Sequence, residues 1–328
     1  MQKSETRDQN RPRDSKQWLA VDAGPKSTQV DYKQMRNETS IINLGELSKP
    51  AEVLIEKISE AVGGVFKPYQ IVRVAKAEAE AERIRAESQI QISDLHRRAL
   101  HRFLEEEAKK QQNIEEITRE ALPQLNDKSQ PEKIENDWIA NFFDKCRLIS
   151  DAEMQTLWSR VLAGEANTPG SYSKRTVNFL SSLDKTDAEL FTQLCTFGWF
   201  FGNVVPLIYD LDHEIYKKHG ITFTSLLHLE AIGLIRIENL TGYIRTHLPK
   251  IFTVFYYGKP VKLEFKNESN NEMETGKVIL TQTAQQLAPI CRSQPDPDFY
   301  EYTLTNWKAQ GYINEKNTEQ LATIPNAS

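Results

Sequence analysis

The sequence predicts a mainly α chain in three parts: a long N-terminal coiled-coil-like helix, a helical domain, and a small C-terminal winged-helix-like α+β module. Three observations carry this. Small and apolar side chains return every eleven residues between 71 and 125, a period of extended, laterally packed helices. Amphipathic stripes with capping signatures follow Pro131. From Ile221 onward the pattern changes to short alternating runs bounded by Gly and Pro, which read as strands and turns.

The expected order begins with a disordered arm over 1–46, where Asp, Arg, Gln, Ser and Thr leave too little apolar surface to offset the entropy of ordering. Residues 47–125 hold a short amphipathic helix, with Val53, Leu54, Ile55, Ile58, Ala61 and Val62 at helical spacing, then the long helix. Gly63-Gly64 ends the first, and Pro68 opens the second as an early-turn proline. The eleven-residue rows are Ala81, Ile92, Phe103, Ile114 and Leu125; Ile84, Leu95 and Ile117; and Ser88, Ala99 and Ala121. Glu82 and Arg85 belong to a charged lacing worth a few tenths of a kcal/mol per pair. Pro123 and Pro131 mark the domain boundary.

The helical domain is placed over 132–219. Ile134, Trp138, Phe142 and Cys146 form one stripe; Ser150 with Glu153 and Thr186 with Glu189 read as capping boxes, and Gly164 reads as a helix stop. The α+β module is placed over 220–313, with helix FTSLLHLEAIG, strands LIRIE, FTVFYY, VKLEF and VILTQ, helix TAQQLAPI, and a last helix near Phe299–Gln310. Gly258-Lys259-Pro260 reads as a hairpin turn. Residues 314–328 are expected to be a disordered tail.

A formal charge of −5 with a pI near 5.8 argues against tight nonspecific binding of polyanions, because each phosphate contact needs a cation. Cys146, Cys195 and Cys291 are odd in number and widely spaced, as for free thiols in a reducing compartment. The first residues are too polar for a signal peptide, so a cytoplasmic protein is expected.

Each chemical constellation has a plainer alternative. Residues 190–209 carry no charge and hold a Gly198/Gly202 pair, yet Thr192, Gln193, Thr196, Asn203 and Pro206 favour a buried core helix over a membrane span. Trp199 and Phe200 are expected against Trp158 or Phe179. The stretch DLDHEIYKKHG gathers Asp210, Asp212, His213, Glu214 and His219; the position four after His213 is Lys217, so a solvated turn is favoured over a metal site. His96 and His101 with Arg97, Arg98 and Arg102 form a basic patch that the following Glu105, Glu106 and Glu107 can neutralise. No phosphate-binding glycine loop, GxSxG elbow or paired-cysteine site occurs, so no catalytic residues, cofactor or metal are assigned and a non-enzymatic role is favoured. FTSLLHLEAIG contains no Lys or Arg, so protein contact is favoured over base reading for the C-terminal module.

Three separated segments, VGGVFKPYQIVRVAKAEAEA at 62–81, QTLWSRVLAGE at 155–165 and PGSYSKRT at 169–176, resemble a bacterial family known as domain of unknown function 2806, over residues 50 to about 310. The resemblance brings no catalytic residues. It implies, through the family's occurrence near mobile and phage-related genes, a phage-defence or prophage role.

Within the shared segments Lys174 and Arg175 fall in the first turn of a helix, where positive charge opposes the dipole; an anion or acidic partner is one explanation and pairing with Glu165 the other. The first functional expectation is a self-associating interaction protein, a homo-oligomer held through Ile84, Ile92, Leu95, Phe103 and Ile114, with a protein partner on the C-terminal module. The rivals are a nucleic-acid-associated regulator and a membrane-active defence effector acting through 190–209 or 53–69.

Overall fold

The computed structural model describes residues 47–62 and 94–313. The arm at 1–46, the tail at 314–328, the Pro68 helix start, the Glu82–Arg85 lacing, Ile84 and Ile92 lie outside the described residues. About 54% of what is described is helical and 16% is strand, in three small antiparallel sheets.

The helical part comprises α1 (Lys49–Val62), α2 (Asp94–Ala121), α3 (Asn136–Cys146), α4 (Ala152–Asn167), α5 (Lys174–Leu180) and α6 (Lys185–Cys195). Leu54, Ile55 and Ile58 turn the apolar face of α1 onto α3, and Ile114, Ile117 and Ala121 turn the end of α2 onto α4. Each such Leu or Ile contributes roughly 1.5–3 kcal/mol of burial. Trp138 stacks on Phe142 at 5.1 Å, and Phe142 meets Trp158 edge-on at 5.1 Å.

The expected long coiled-coil-like helix is overturned here. The first helix has only 14 residues, and the second, of 28 residues, sinks its C-terminal end into the chain's own core. The eleven-residue rows correctly mark an apolar face at Ile114, Ile117 and Ala121. A period reports which side of a helix is apolar, and cannot say whether another chain or the same chain covers it.

Two helix starts differ from the expected ones. Asp151, not Ser150, caps α4, accepting the Glu153 and Met154 N–H groups at 3.0 Å each. Asp184 and Asp187 make the reciprocal box of α6, two residues before the expected pair. Gly164 lies inside α4 and stops nothing; a Cβ there would stand 2.6 Å from Cε2 of Tyr172, so glycine admits the Tyr172 ring.

The second half holds β1 (Gly198–Phe200), β2 (Val204–Pro206), α7 (Glu214–Lys217), α8 (Phe223–Ala231), β3 (Ile235–Ile237), β4 (Tyr243–Leu248), β5 (Ile251–Tyr256), β6 (Lys259–Glu264), β7 (Asn271–Gly276), β8 (Val278–Leu280), α9 (Gln282–Leu287) and α10 (Pro297–Ala309). One sheet runs β2-β1-β5-β6, and β3-β8 and β4-β7 are separate pairs. This overturns the winged-helix-like module. The strands of 251–264 pair with a hairpin from 198–206, far upstream, and β4 and β7 were hidden in the polar runs YIRTHL and NEMETG. The β5–β6 turn is Tyr257-Gly258, both at positive φ, one residue before the expected site.

The uncharged run 190–209 is therefore a helix end and a hairpin. Gly202, at φ +92°, makes the turn, and a Cβ on Gly198 would lie 2.9 Å from the Cys195 carbonyl oxygen. A continuous apolar run does not distinguish buried helix from buried strand. No helix among the described residues is long and apolar enough to cross a membrane. Trp199 packs on Tyr300 (5.7 Å, stacked), Trp307 (4.5 Å, edge-on) and Tyr256 (5.0 Å), in place of the expected Trp158 or Phe179, while Phe200 is 48% exposed. The buried apolar side chains, from Ala51 to Ile313, form one contiguous cluster.

Opposite faces of β1 therefore predict opposite outcomes. In denaturant titrations Trp199→Ala is expected to lose about 3–5 kcal/mol through cavity formation, and Phe200→Ala less than about 1 kcal/mol.

Candidate functional site

The segment between α9 and α10 brings Cys291, Arg292, Ser293 and Asp296 together within six residues. A 3-10 turn, Ala288–Ile290, leads into Cys291, then Arg292 at φ +57°, Ser293, and Asp296, which caps α10. A left-handed backbone at a residue other than glycine is held only where surrounding contacts fix it. Those contacts are present. Tyr257 Oη lies 2.5 Å from Ser293 Oγ and 3.3 Å from the Cys195 carbonyl oxygen, and Thr192 Oγ1 is 3.5 Å from the Cys291 carbonyl oxygen.

Three hollows meet at Arg292. One, of about 320 Å³, is lined by Leu157, Arg160, Lys185, Thr192 and Cys291. A second, of about 520 Å³, is lined by Cys195, Gly198, Phe200, Phe255 and Tyr257. The third, of about 460 Å³, reaches Gln193, His219 and Asp296. Arg160 donates to the Ile290 carbonyl oxygen at 2.7 Å, and burial first and the charge of Arg292 second hold its pKa below the ordinary guanidinium value. No carboxylate of the described residues stands in ion-pair range of either guanidinium; Lys185 is joined to Glu153 at 2.9 Å and to Asp151 at 3.7 Å. The Cys291 thiol donates to the Ala288 carbonyl oxygen at 3.1 Å. The neighbouring Cys195 thiol first, and Ser293 after it, hold Cys291 down to a pKa of about 7 against the opposing effect of burial, whereas burial drives Cys195 well up.

On the third hollow Asp296 anchors an ion cluster. Asp296, 7% exposed, accepts from His219 Nε2 at 2.6 Å and Lys218 Nζ at 2.9 Å through one oxygen, and from the Asp298 and Phe299 N–H groups at 2.8 and 3.2 Å through the other. Burial raises its pKa, but the hydrogen bonds from Lys218, His219 and Phe299 outweigh it and bring the value down to about 2. The second nitrogen of His219 is engaged by Gln193 Oε1 at 3.1 Å, so neither ring nitrogen is open to a metal or substrate. DLDHEIYKKHG is thus more than a solvated turn, since Lys218 and His219 fasten it to α10, while His213 caps α7 through Nδ1. Among the described residues no three His, Cys, Asp or Glu side chains come together to hold a metal.

The residues singled out from sequence are scattered. Lys174 and Arg175 are exposed in the first turn of the seven-residue α5, and Lys174 Nζ lies 3.7 Å from Asp137 of α3. Glu165 is not their partner: it is buried and accepts the Gly170 and Tyr172 N–H groups at 2.7 and 2.8 Å, which fixes the PGSYS loop. Leu95 and Phe103 are exposed on α2, whereas Ile114 is buried within the chain's own core. Arg97 and Arg98 pair with Asp94, His101 with Glu105 and Arg102 with Glu106. The thiol pair and the Asp296 cluster were not found from sequence. Asp296-Pro297 carries a readable cap signal, Asp followed by proline at the first helical position, but 96 residues separate the two cysteines, and no spacing rule joins them.

The sign of the Asp296 shift gives a pH test. Its folded pKa of about 2 is below the ordinary aspartate value near ~3.9, so its stabilisation is complete above about pH 4 and is lost as pH falls through about 2. Asp296→Asn is expected to lose about 1–3 kcal/mol at neutral pH and to flatten the acid-unfolding curve between about pH 4 and 2. For the two cations of α5, Lys174→Glu and Arg175→Glu are each expected to change stability by less than about 1 kcal/mol in the same titrations.

No curated protein and no solved structure matches the chain. One family model does, over residues 97–304, which takes in α2 almost from its start, both halves of the core and most of α10. The chain therefore belongs to the family described as protein of unknown function (DUF2806).

Proposed function

We propose that the chain is an interaction protein that associates with a second copy of itself through the N-terminal half of α2. The exposure of Leu95 and Phe103, 65% and 57%, carries this reading. Together with Ala99 they recur every four residues on one face, and Leu100, 38% exposed, flanks them. Large apolar side chains left in water on a helix otherwise anchored in the core are a common mark of a protein contact.

A second copy is favoured as the occupant by the order of charge along the same helix. The basic block Arg97, Arg98 and Arg102 precedes the acidic block Glu105, Glu106 and Glu107. Two copies laid antiparallel set each block opposite its complement. The ion pairs now made within α2 join exposed side chains, and such pairs contribute little, so re-pairing across an interface costs little. The sequence rows point the same way, since Ile84 and Ile92, outside the described residues, stand eleven residues before Leu95 and Phe103.

The measurement is mass in solution by light scattering during size exclusion, on the full chain. Wild type is expected at twice the 37.7 kDa of one chain, and Leu95→Gln with Phe103→Gln at the single-chain mass with an unchanged melting temperature. A wild type that stays at 37.7 kDa at the highest soluble concentration overturns the reading.

A further inference from the structure

We propose that Cys195 and Cys291 form a peroxide-sensitive thiol pair, in which Cys291 is the site of first attack and Cys195 resolves it to an intramolecular disulfide.

The placement of the two residues carries the inference. Cys195 is the last residue of α6, and Cys291 sits in the linker that follows α9, so the pair joins elements remote in sequence. The Cys291 carbonyl oxygen stands 3.5 Å from Thr192 Oγ1, one turn before Cys195 on α6, the Cys291 thiol donates to the Ala288 carbonyl oxygen at 3.1 Å, each of the two thiols perturbs the other's titration, and neither is in a disulfide. The segment 291–293 is held against the end of α6 by the Tyr257 hydroxyl, which reaches both Ser293 Oγ and the Cys195 carbonyl oxygen, and by Thr192. Access differs between the two. Cys291 is partly exposed and lines the 320 Å³ hollow, whereas Cys195 is 5% exposed at the back of the second hollow.

The surroundings suit an attacking thiolate at Cys291 and a protonated reserve at Cys195. The Arg160 guanidinium donates to the carbonyl oxygen of Ile290, the residue before Cys291, at 2.7 Å, and Arg160 and Arg292 line the same hollow as Cys291. Positive neighbours and partial exposure are the environment in which cysteines react. Cys146 has neither: it is fully buried, and burial pushes its thiol well above the ordinary value.

The chemistry balances with hydrogen peroxide as the oxidant. The Cys291 thiolate attacks one peroxide oxygen; an S–O bond forms, the O–O bond breaks, and the departing hydroxide takes up a proton as water. Cys195 sulfur then attacks the sulfenic sulfur of Cys291. The S–S bond forms, the S–O bond breaks, and the second water leaves with the Cys195 proton. Two thiols lose two electrons and one peroxide becomes two waters, the reversible first rungs of thiol oxidation.

The test uses the full chain, reduced and then freed of reductant. At neutral pH, iodoacetamide is expected to label Cys291 about tenfold or more faster than Cys195 and Cys146. Hydrogen peroxide is expected to yield, on non-reducing digestion and mass spectrometry, a peptide linking Cys195 to Cys291 within one chain, reversed by dithiothreitol. Cys195→Ser is expected to halt at the sulfenic acid, trapped by dimedone on Cys291, and Cys291→Ser to abolish both products. Equal labelling of the three thiols overturns the proposal, as does oxidation of Cys291 to the sulfinic acid in wild type with no linked peptide. A disulfide found only between chains also overturns it. The labelling and wild-type peptide maps need no variant, so a substitution that fails to fold leaves the test intact.

Discussion

Asp296 is a carboxylate taken almost wholly out of water, and the second half of the fold is organised around keeping it satisfied. An unpaired buried charge would cost several kcal/mol, so its partners must be in place whenever the chain is folded. They come from distant stretches: Lys218 and His219 after α7, and the first N–H groups of α10. The Asp296 N–H donates to Tyr256 Oη at 2.9 Å, and the Tyr256 hydroxyl in turn donates to the Thr196 carbonyl oxygen at 2.9 Å. One acid thereby fixes the entry of α10, the end of β5 and the exit of α6.

The aromatic core is built on that frame. Phe197 meets Tyr216 at 5.0 Å, His219 at 5.3 Å and Phe299 at 4.9 Å, all edge-on, while two residues later Trp199 packs among Tyr256, Tyr300 and Trp307. Edge-to-face and offset pairs of this kind add directional preference to plain area burial. In the helical part the comparable device is Glu165, whose carboxylate holds the Gly170 and Tyr172 N–H groups while Trp138 Nε1 donates to the Tyr172 carbonyl oxygen at 2.7 Å. Two of the segments that carry the family resemblance therefore meet as one structural motif: Gly164 makes room for Tyr172, Glu165 clamps its loop, and Ser173 caps α5. Their roles are architectural, which accounts for why the most recognisable part of the sequence did not mark a reactive site.

The two proposals concern opposite extremes of burial. The face at Leu95 and Phe103 is exposed and stands clear of the core formed by the described residues. The thiol pair sits where α6, the hairpin of β1 and β2, and the linker into α10 converge, close to the Asp296 cluster. A cross-link there would tie the linker to α6, two elements whose present connection is a set of hydrogen bonds through Tyr257 and Thr192.

What the sequence by itself determined was local: the apolar stripes of α1, α3 and α4, the strands at 235–237, 251–256 and 278–280, the approximate extents of α8, α9 and α10, and the family. These depend on periodicity and turn chemistry within a few residues, where each side chain's preference is decided by its neighbours in the chain. Tertiary structure alone decided what covers each apolar face and which distant groups meet. Ile114 looked free to bind another chain until the chain's own core buried it, the run 190–209 ended in a hairpin with Gly202 at its turn and β1 paired to β5, and the linker of Cys291 came to rest against the end of α6, 96 positions after Cys195. Burial and long-range pairing are properties of the packed chain as a whole, so no local pattern contains them.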